Sequence, residues 1–226
     1  PKAFAMGVRI EHPQEFIDKK QYGRYAGYPQ LGAADYQLTY QDQQTGRSLY
    51  TFCMCPGGYV IGAASDHEQV VTNGMSYFAR DTGIANSALV ATVKPADWEF
   101  SALGGVKLQE ELEHLAFRMG GGNYRAPAQL VNDFLEQKQT SSLEGSIATF
   151  TPGVTPANLW ELMPGEICGV MERGIKYWDK KMPGFIQDQA VLTGVETRTS
   201  TPLRIQRDEH MCSLSIDNMY PCGEGA

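Results

Sequence analysis

The sequence predicts an α+β fold built mostly of antiparallel sheet, with helices packed on one side. Three observations support this class. Short apolar strands and Gly- or Pro-containing turns fill roughly the first hundred residues, and the middle changes to the period of amphipathic helices. The last part of the chain returns to strand-like segments. Strands and helices that are segregated along the chain in this way are typical of α+β proteins.

The first predicted strand covers residues 4–10, where apolar residues at positions 4, 6, 8 and 10 alternate with polar or small ones. This two-residue period is typical of a half-buried strand. A short helix follows in HPQEFIDKKQYG, with Pro13 at its first helical position and Gly23 at its exit.

An antiparallel meander is predicted after this strand and helix. ADYQLTYQDQQTGRSLYTFCMC predicts two strands around a Gln–Gln–Thr–Gly turn, and GGYVIGAAS predicts a third strand after the break at residues 56–58. In VVTNGMSYF the dipeptide Asn73–Gly74 is a strong turn signal and predicts a hairpin turn. SALVATV predicts a further strand.

The middle of the chain predicts helices. Leu108, Leu112, Leu115 and Met119 share one helical face, so residues 106–119 form an amphipathic helix whose acidic residues and His114 face elsewhere. Further helices are predicted at 126–137, 156–163 and 166–182. A helical subdomain is therefore expected at about 106–182, with 138–153 as a loop or linker.

Three strands are predicted after this helical stretch, in QAVLTGVETRT, PLRIQRD and MCSLSI. The opening PKAFAMGVRI begins inside a strand, and the closing SIDNMYPCGEGA stops at a turn that normally leads from a strand into a helix. We expect residues 1–226 to be one excised domain of a longer protein.

Composition excludes several classes of function. The formal net charge is −7 and the basic residues are scattered, which disfavours nucleic acid as a partner. No apolar run approaches the roughly 18 residues of a membrane span. The five cysteines are odd in number and lie mostly in apolar segments, which favours a reducing compartment and a cytoplasmic location.

Cys53 and Cys55 are the one close cysteine pair. On a regular strand their side chains share a face, so they are candidates for a redox pair or for the wall of a pocket. Burial as small apolar residues is an equally good interpretation. A disulfide across one intervening residue is strained, so reduced thiols are expected, and the spacing offers no tetrahedral metal site.

Other candidate binding residues lie in Gly-punctuated, polar stretches. Asn123, Arg125 and Gln129 in GGGNYRAPAQ are candidates for contact with an anionic or carbonyl-bearing substrate. Glu196 and Arg198 in GVETRTS are further candidates, although a surface ion pair between them is an equally good interpretation. No hydrolase triad is indicated.

Gly223, Glu224 and Gly225 form a turn of the kind that approaches a cofactor's sugar and pyrophosphate groups. Glycines permit close backbone approach, and a carboxylate accepts hydrogen bonds from sugar hydroxyls. Taken alone, such a turn is weak evidence for a cofactor site.

Seven motifs in order resemble an uncharacterised bacterial family of FAD-dependent dehydrogenases, flavoproteins with an insertion domain inside a dinucleotide-binding fold. These motifs are FAMGVRIEHP, LGAADYQLTY, YTFCMCPGGYV, VVTNGMSYFARD, GGGNYRAPAQLVNDFL, AVLTGVETRTSTPLRI and MYPCGEGA. The sequence has no Gly-x-Gly-x-x-Gly fingerprint, so it resembles the insertion domain without the FAD-binding Rossmann segments.

The resemblance implies an FAD-dependent oxidoreductase in which this domain forms the substrate-side wall over the flavin. It implies FAD in the longer protein, no cofactor in this piece alone, and the FAD-binding domain of the same chain as the partner. Wall candidates are then Cys53, Cys55, Asn73, Asn123, Arg125, Gln129 and Arg198, with Gly223, Glu224 and Gly225 next to the cofactor. The alternative is a non-catalytic binding or oligomerisation module, which the aromatic segment QYGRYAGYPQ favours.

Overall fold

The computed structural model describes residues 1–98 and 100–226, and it confirms the α+β class. Within these two ranges, nine strands form two sheets: β1 (Phe4–Pro13), β2 (Thr39–Gln41), β3 (Ser48–Cys55), β4 (Gly58–Gly62), β5 (Thr72–Ser76), β6 (Ile84–Val93), β7 (Ala126–Leu130), β8 (Val154–Pro156) and β9 (Val191–Glu196). The α-helices are α1 (Gln14–Tyr22), α2 (Gly104–Met119), α3 (Val131–Leu135) and α4 (Gly165–Lys181). The helices predicted in HPQEFIDKKQYG, at 106–119 and at 166–182 are thus confirmed, but Pro13 ends β1 and is not the first helical residue of α1.

The larger sheet has seven strands in the order β2-β3-β6-β1-β9-β7-β8. Its described pairs are antiparallel except β7 with β8. Strands β7 and β8 come from the middle of the chain, so residues 106–182 contribute to this sheet as well as supplying helices. The helical subdomain remains a prediction.

Strand β1 is central and buried on both faces, so the half-buried strand predicted from alternation is wrong. Its even-numbered apolar residues, such as Met6 and Val8, belong to the main core with Ile17 of α1 and Trp178 of α4. The Trp178 indole donates to the Thr39 carbonyl at 3.1 Å, which satisfies its buried N–H group. The opposite face of β1 carries Arg9 and Glu11, both fully buried.

The two-stranded sheet of β4 and β5 packs against this second face of β1. Asn73 and Gly74 lie within β5, so the predicted hairpin turn at this dipeptide is wrong. A Cβ atom on Gly74 would lie 2.4 Å from Arg9 Nη1 and 2.4 Å from Asn86 Oδ1. Glycine is therefore required at position 74 for close packing of the two sheets. The Asn–Gly dipeptide reflects this packing and not a turn.

Two helix predictions in the middle of the chain are wrong in part or in whole. Residues 126–130 form β7 between β8 and β9, and only 131–135 are helical. Short apolar runs cannot be assigned to helix or strand by period alone, and here sheet pairing decides. Pro156 ends β8 and residues 157–163 form no helix; the Leu159 N–H donates to Gln129 Oε1 at 2.8 Å and not to a helical carbonyl.

The predicted strand at 191–196 is confirmed, while those in PLRIQRD and MCSLSI are wrong. In these segments the structure has only an isolated bridge between Arg207 and Ser213. Ile205, Leu214 and Ile216 are exposed, so this segment has no buried face to stabilise a strand. Residues 138–153 contain no helix or strand, as predicted for a loop. Among the described residues, no helix has both the length and the apolar character required to cross a bilayer.

Candidate functional site

A cleft of about 360 Å³ lies between α2 and the segment that follows β9. Val106 and Gln109 of α2 form one side. Residues 198–202 and Glu224 form the rest of the lining. The structure thus brings together Arg198 and Glu224, which come from two separate sequence motifs.

Arg198 is held in this cleft by Glu113 of α2. Its Nε and Nη2 donate to the two carboxylate oxygens of Glu113 at 2.8 and 2.7 Å, a bidentate pair. The Thr197 hydroxyl donates to the same carboxylate at 2.5 Å. The pKa of Arg198 is raised, first by this hydrogen bonding with Glu113. The guanidinium is therefore a fixed positive charge beside the cleft.

These contacts correct two expectations. Glu113 is fully buried and does not share the solvated surface of Glu110 and Glu111, because α2 turns it toward Arg198. Glu196 and Arg198 do not form a surface ion pair with each other. Strand β9 ends at Glu196, and the two residues point to different partners.

Glu224 lies at the open edge of the cleft. Its side chain is 69% exposed and pairs with Lys2 Nζ at 3.3 Å, while its carbonyl accepts from the same ammonium at 3.0 Å. Gly223 has a φ of +88°, which favours glycine in this turn. The Gly225 carbonyl accepts from the Ile205 N–H at 2.7 Å. The terminal turn therefore packs beside the beginning of the chain.

Arg9 is the centre of a second, buried polar network. Its Nε and Nη2 donate to Glu196 at 2.6 and 3.1 Å. Its Nη1 donates to the Cys53 carbonyl at 2.7 Å and to Asn86 Oδ1 at 3.1 Å, and Nη2 donates to Asn73 Oδ1 at 2.9 Å. A guanidinium has five N–H donors, and all five are used here. Arg9 is therefore a scaffold residue that ties β1 to β3, β5, β6 and β9.

The Arg9–Glu196 contact is an ion pair. Burial raises the pKa of Glu196, while the charge and hydrogen bonds of Arg9 act in the opposite direction. Desolvation by burial tends to lower the pKa of Arg9, but interaction with Glu196 outweighs it and the net shift is upward. Two charge-assisted hydrogen bonds favour the ionised form of both groups.

Glu11 is a buried carboxyl group whose direct hydrogen bonds come from Thr149. Its Oε1 accepts from the Thr149 N–H at 3.0 Å and from the Thr149 hydroxyl at 2.5 Å, and its Oε2 has no hydrogen-bond partner among the residues that the structure describes. Burial raises the pKa of Glu11 to about 7, and the Thr149 contacts and Arg9 only partly offset this increase.

Cys53 and Cys55 lie at a β-bulge. Cys53 has a φ of +45°, and the register between β3 and β6 shifts between Phe52 and Cys55. The regular strand expected for this pair is therefore wrong, because the two-residue period is broken at the bulge. Cys53 is exposed and Cys55 is buried, and both are free thiols in this structure.

The remaining predicted site residues lie around β7. Asn123 is exposed, and its Oδ1 accepts from the Arg125 N–H at 3.2 Å. The Arg125 guanidinium donates to the Val154 carbonyl and to Thr155 Oγ1, so it links the residue before β7 to β8. Gln129 is fully buried and donates to the Lys138 carbonyl at 2.7 Å, in addition to its bond from Leu159. Its side chain thus stabilises the loop that follows α3.

The described residues contain no group of three or more His, Cys, Asp or Glu side chains that could hold a metal ion. Sequence reasoning missed Arg9, Asn86 and Glu113. The sequence contained a signal for Arg9, because a charged residue interrupts the apolar strand β1 at this position, which is buried in the structure.

Residues 3–199 match the model of a protein family described as FAD-dependent protein, C-terminal domain-like. The chain belongs to this family. An uncharacterized protein of Clostridium beijerinckii (strain ATCC 51743 / NCIMB 8052) is 49% identical over 226 residues, which is all of this chain and 42% of that protein. This chain therefore spans less than half the length of that relative.

The family implies FAD in the longer protein, and residues of the cleft have chemistry suited to such a cofactor. Glu224 can accept hydrogen bonds from sugar hydroxyls, and the Gly223 turn leaves space for close backbone approach. The sequence has no Gly-x-Gly-x-x-Gly, and the connection from β7 to α3, Leu130–Val131, has no glycine to accommodate a pyrophosphate.

Proposed function

We propose that this domain forms the substrate-side wall over the flavin in a longer FAD-dependent oxidoreductase of the dehydrogenase type. The observation that carries this proposal is the meeting of Arg198 and Glu224 in one cleft. The family supports a flavin in the longer protein.

Residues from distant parts of the sequence meet at the edge of the cleft. Lys2 pairs with Glu224, and the Lys2 N–H donates to the Pro202 carbonyl at 2.8 Å, so segments from both ends of the sequence lie side by side. The FAD-binding part of the same protein is then the partner, and it would meet this domain at the cleft.

In this proposal the domain binds and orients the substrate and excludes water. FAD, when bound, would supply the acceptor for a hydride from the substrate. Arg198 would orient an anionic or carbonyl-bearing substrate, because Glu113 fixes its guanidinium beside the cleft. Cys53, Asn73, Asn123 and Arg125 remain proposed wall residues, since each is exposed.

Cys55 and Gln129 are buried and would act through the residues they support. Glu224, with Gly223 and Gly225, would contact the cofactor. We further propose a reducing compartment, the cytoplasm, as the location, because the five cysteines are free.

Absorption spectra test this function. The purified Clostridium relative should show a flavin band that is bleached when its substrate is added, and this chain alone should be colourless. A colourless relative that does not bind added FAD would contradict the flavin role. If this chain alone bound FAD stoichiometrically, the proposal that the FAD-binding part lies elsewhere in the longer protein would be wrong.

A second candidate function is assembly. Tyr25 and Tyr28 are 47% and 55% exposed and, with Tyr22 and Leu31, line an apolar groove of about 540 Å³. Exposed aromatic surface of this kind is enriched at protein interfaces. Light scattering after size exclusion distinguishes the functions, because a monomer at all concentrations would argue against self-assembly.

A further inference from the structure

We propose that Cys53 and Cys55 form a thiol–disulfide exchange site whose oxidant is a low-mass disulfide. This inference goes beyond the flavin function and does not depend on it. It rests on the bulge in β3, on the different exposure of the two thiols and on the adjacent guanidinium of Arg9.

The bulge removes the main geometric obstacle to a bond between these cysteines. In a regular strand, residues two apart have Cα atoms about 6.6 Å apart, near the upper limit for a disulfide. The left-handed conformation of Cys53 and the register shift depart from that geometry. Cys55 Sγ donates to the Cys53 carbonyl oxygen at 3.3 Å. The Cys55 thiol is therefore turned back toward the backbone of Cys53.

The exposure of the two thiols assigns them different roles. Cys53 lines a polar cleft of about 300 Å³ with Asp35, Gln37 and Thr51, so a small disulfide can approach it. Cys55 is 7% exposed and packs beneath Gly74, where a Cβ atom would lie 2.8 Å from its sulfur. Cys53 is thus the thiol that meets the external disulfide, and Cys55 is the thiol that resolves the mixed disulfide.

Arg9 supplies the electrostatic component. Burial raises the pKa of the Cys55 thiol, and the positive charge of Arg9 opposes this increase. The thiolate is the attacking species in exchange reactions, so a nearby guanidinium favours the resolving step. Because the net shift in pKa is upward, that step should become faster as the pH rises.

The exchange is balanced in two steps. The Cys53 thiolate attacks one sulfur of a disulfide RSSR, the S–S bond breaks, and RS⁻ leaves and takes up the proton that Cys53 lost. The Cys55 thiolate then attacks the Cys53 sulfur and releases a second RS⁻, which takes up the proton of Cys55. The protein dithiol loses two electrons, and RSSR is reduced to two RSH.

The test treats the reduced chain with glutathione disulfide, followed by an acid quench, alkylation and peptide mass spectrometry. Before treatment, the peptide with Cys53 and Cys55 should carry two alkyl groups. After treatment it should be two daltons lighter than the peptide with two free thiols. In Cys55→Ser the glutathione adduct on Cys53 should persist, at about tenfold or more the level in the wild type, because no neighbouring thiol removes it. Cys53→Ser should leave Cys55 unmodified, since that thiol is buried.

Cys222→Ser is the matched control, because Cys222 is exposed and lies outside this pair. It should form the same Cys53–Cys55 bond as the wild type. Denaturant-unfolded chain is the second control and should form much less of it, because the bulge is lost. The proposal is overturned if the wild type accumulates the Cys53 adduct as Cys55→Ser does, or if unfolded and folded chains form the bond equally. Neither result would bear on flavin binding by the longer relative.

Discussion

Single charged residues in this domain act through partners that are far away in sequence. Glu113 accepts hydrogen bonds from Thr197 and Arg198, which are 84 and 85 residues later. Arg9 bonds to Glu196, 187 residues later. Each of these pairs links a helix or strand to the segment 196–198. The orientation of Arg198 in the cleft is therefore a property of α2 and β9 together.

Glu113→Gln should destabilise the domain by about 1–3 kcal/mol, because a neutral amide cannot accept both charged hydrogen bonds of Arg198. Urea unfolding followed by fluorescence measures the change. Glu111→Gln is the matched control on the exposed side of α2 and should change stability by less than about 0.5 kcal/mol. Equal effects of the two substitutions would show that the Glu113–Arg198 contact contributes nothing.

Glu11 should make the domain less stable as the pH rises. Its pKa is about 7 in the folded state and about 4.3 in an unfolded chain, so the folded state retains a proton that the unfolded state releases. The contribution is fully present below about pH 4.3 and is lost as the pH rises through 7. Unfolding free energies should therefore fall from pH 5 to pH 8.

Glu11→Gln isolates this contribution, because its neutral amide cannot ionise and retains an acceptor for Thr149. The wild type should lose up to about 3 kcal/mol relative to Glu11→Gln across that range. Glu144→Gln, at an exposed position, should follow the wild type. Parallel pH profiles of the wild type and Glu11→Gln would contradict this prediction, because they would mean that Glu11 is already ionised at pH 5 in the folded protein.

At the scale of elements, apolar periodicity predicted the helices and strands that follow one period over many residues. Helices α2 and α4 and strands β1, β6 and β9 belong to this group. Strands β7 and β8 were missed because they are short and their strand state depends on pairing with β9 and with each other. Strand β5 was missed because the Asn–Gly signal carries no information about the sheet packed against it.

The candidate site was predictable only in part, for a related reason. Arg198 and Glu224 lie in Gly-punctuated polar turns, which sequence reasoning recognises. Their meeting in one cleft depends on the return of the chain from β9 to the region near Lys2. Arg9 and Asn86 lie inside strands, and their role depends on two sheets packing face to face.

Gly74→Ala should destabilise the packing of β5 on the larger sheet by about 1–3 kcal/mol. The new methyl group would meet Arg9 Nη1, Asn86 Oδ1 and Cys55 Sγ, and Arg9 cannot move without losing its hydrogen bonds. Gly165→Ala, at the start of α4, is the control because its Cβ would meet no atom within 4 Å. Thermal unfolding should show a lower midpoint for Gly74→Ala only. Equal midpoints for Gly74→Ala and the wild type would mean that the two sheets separate easily at this position.

At the scale of the whole molecule, much apolar surface lies outside the core. Tyr59 and Tyr77 make an edge-to-face contact near the outer side of the β4–β5 sheet, and Met75 is 45% exposed beside them. The aromatic groove near Tyr25 lies in a different part of the chain. Exposed patches of this kind are typical of surfaces that contact another protein segment. They are consistent with a domain that works as part of a larger protein.

Glu224 separates the role of this domain in the larger protein from its own stability. Its side chain is largely exposed, and its ion pair with Lys2 is a surface contact of small energy. Glu224→Ala should therefore change the unfolding free energy of this chain by less than about 0.5 kcal/mol. In a longer protein that contains this sequence, we expect the same substitution to weaken FAD binding about tenfold to a hundredfold, because a hydrogen bond from a sugar hydroxyl to a carboxylate is lost. Urea unfolding and flavin titration measure the two effects, and Glu209→Ala, another exposed acidic residue, should alter neither. Unchanged flavin affinity together with clear destabilisation of the chain would make Glu224 a structural residue and would remove it from the proposed cofactor contact.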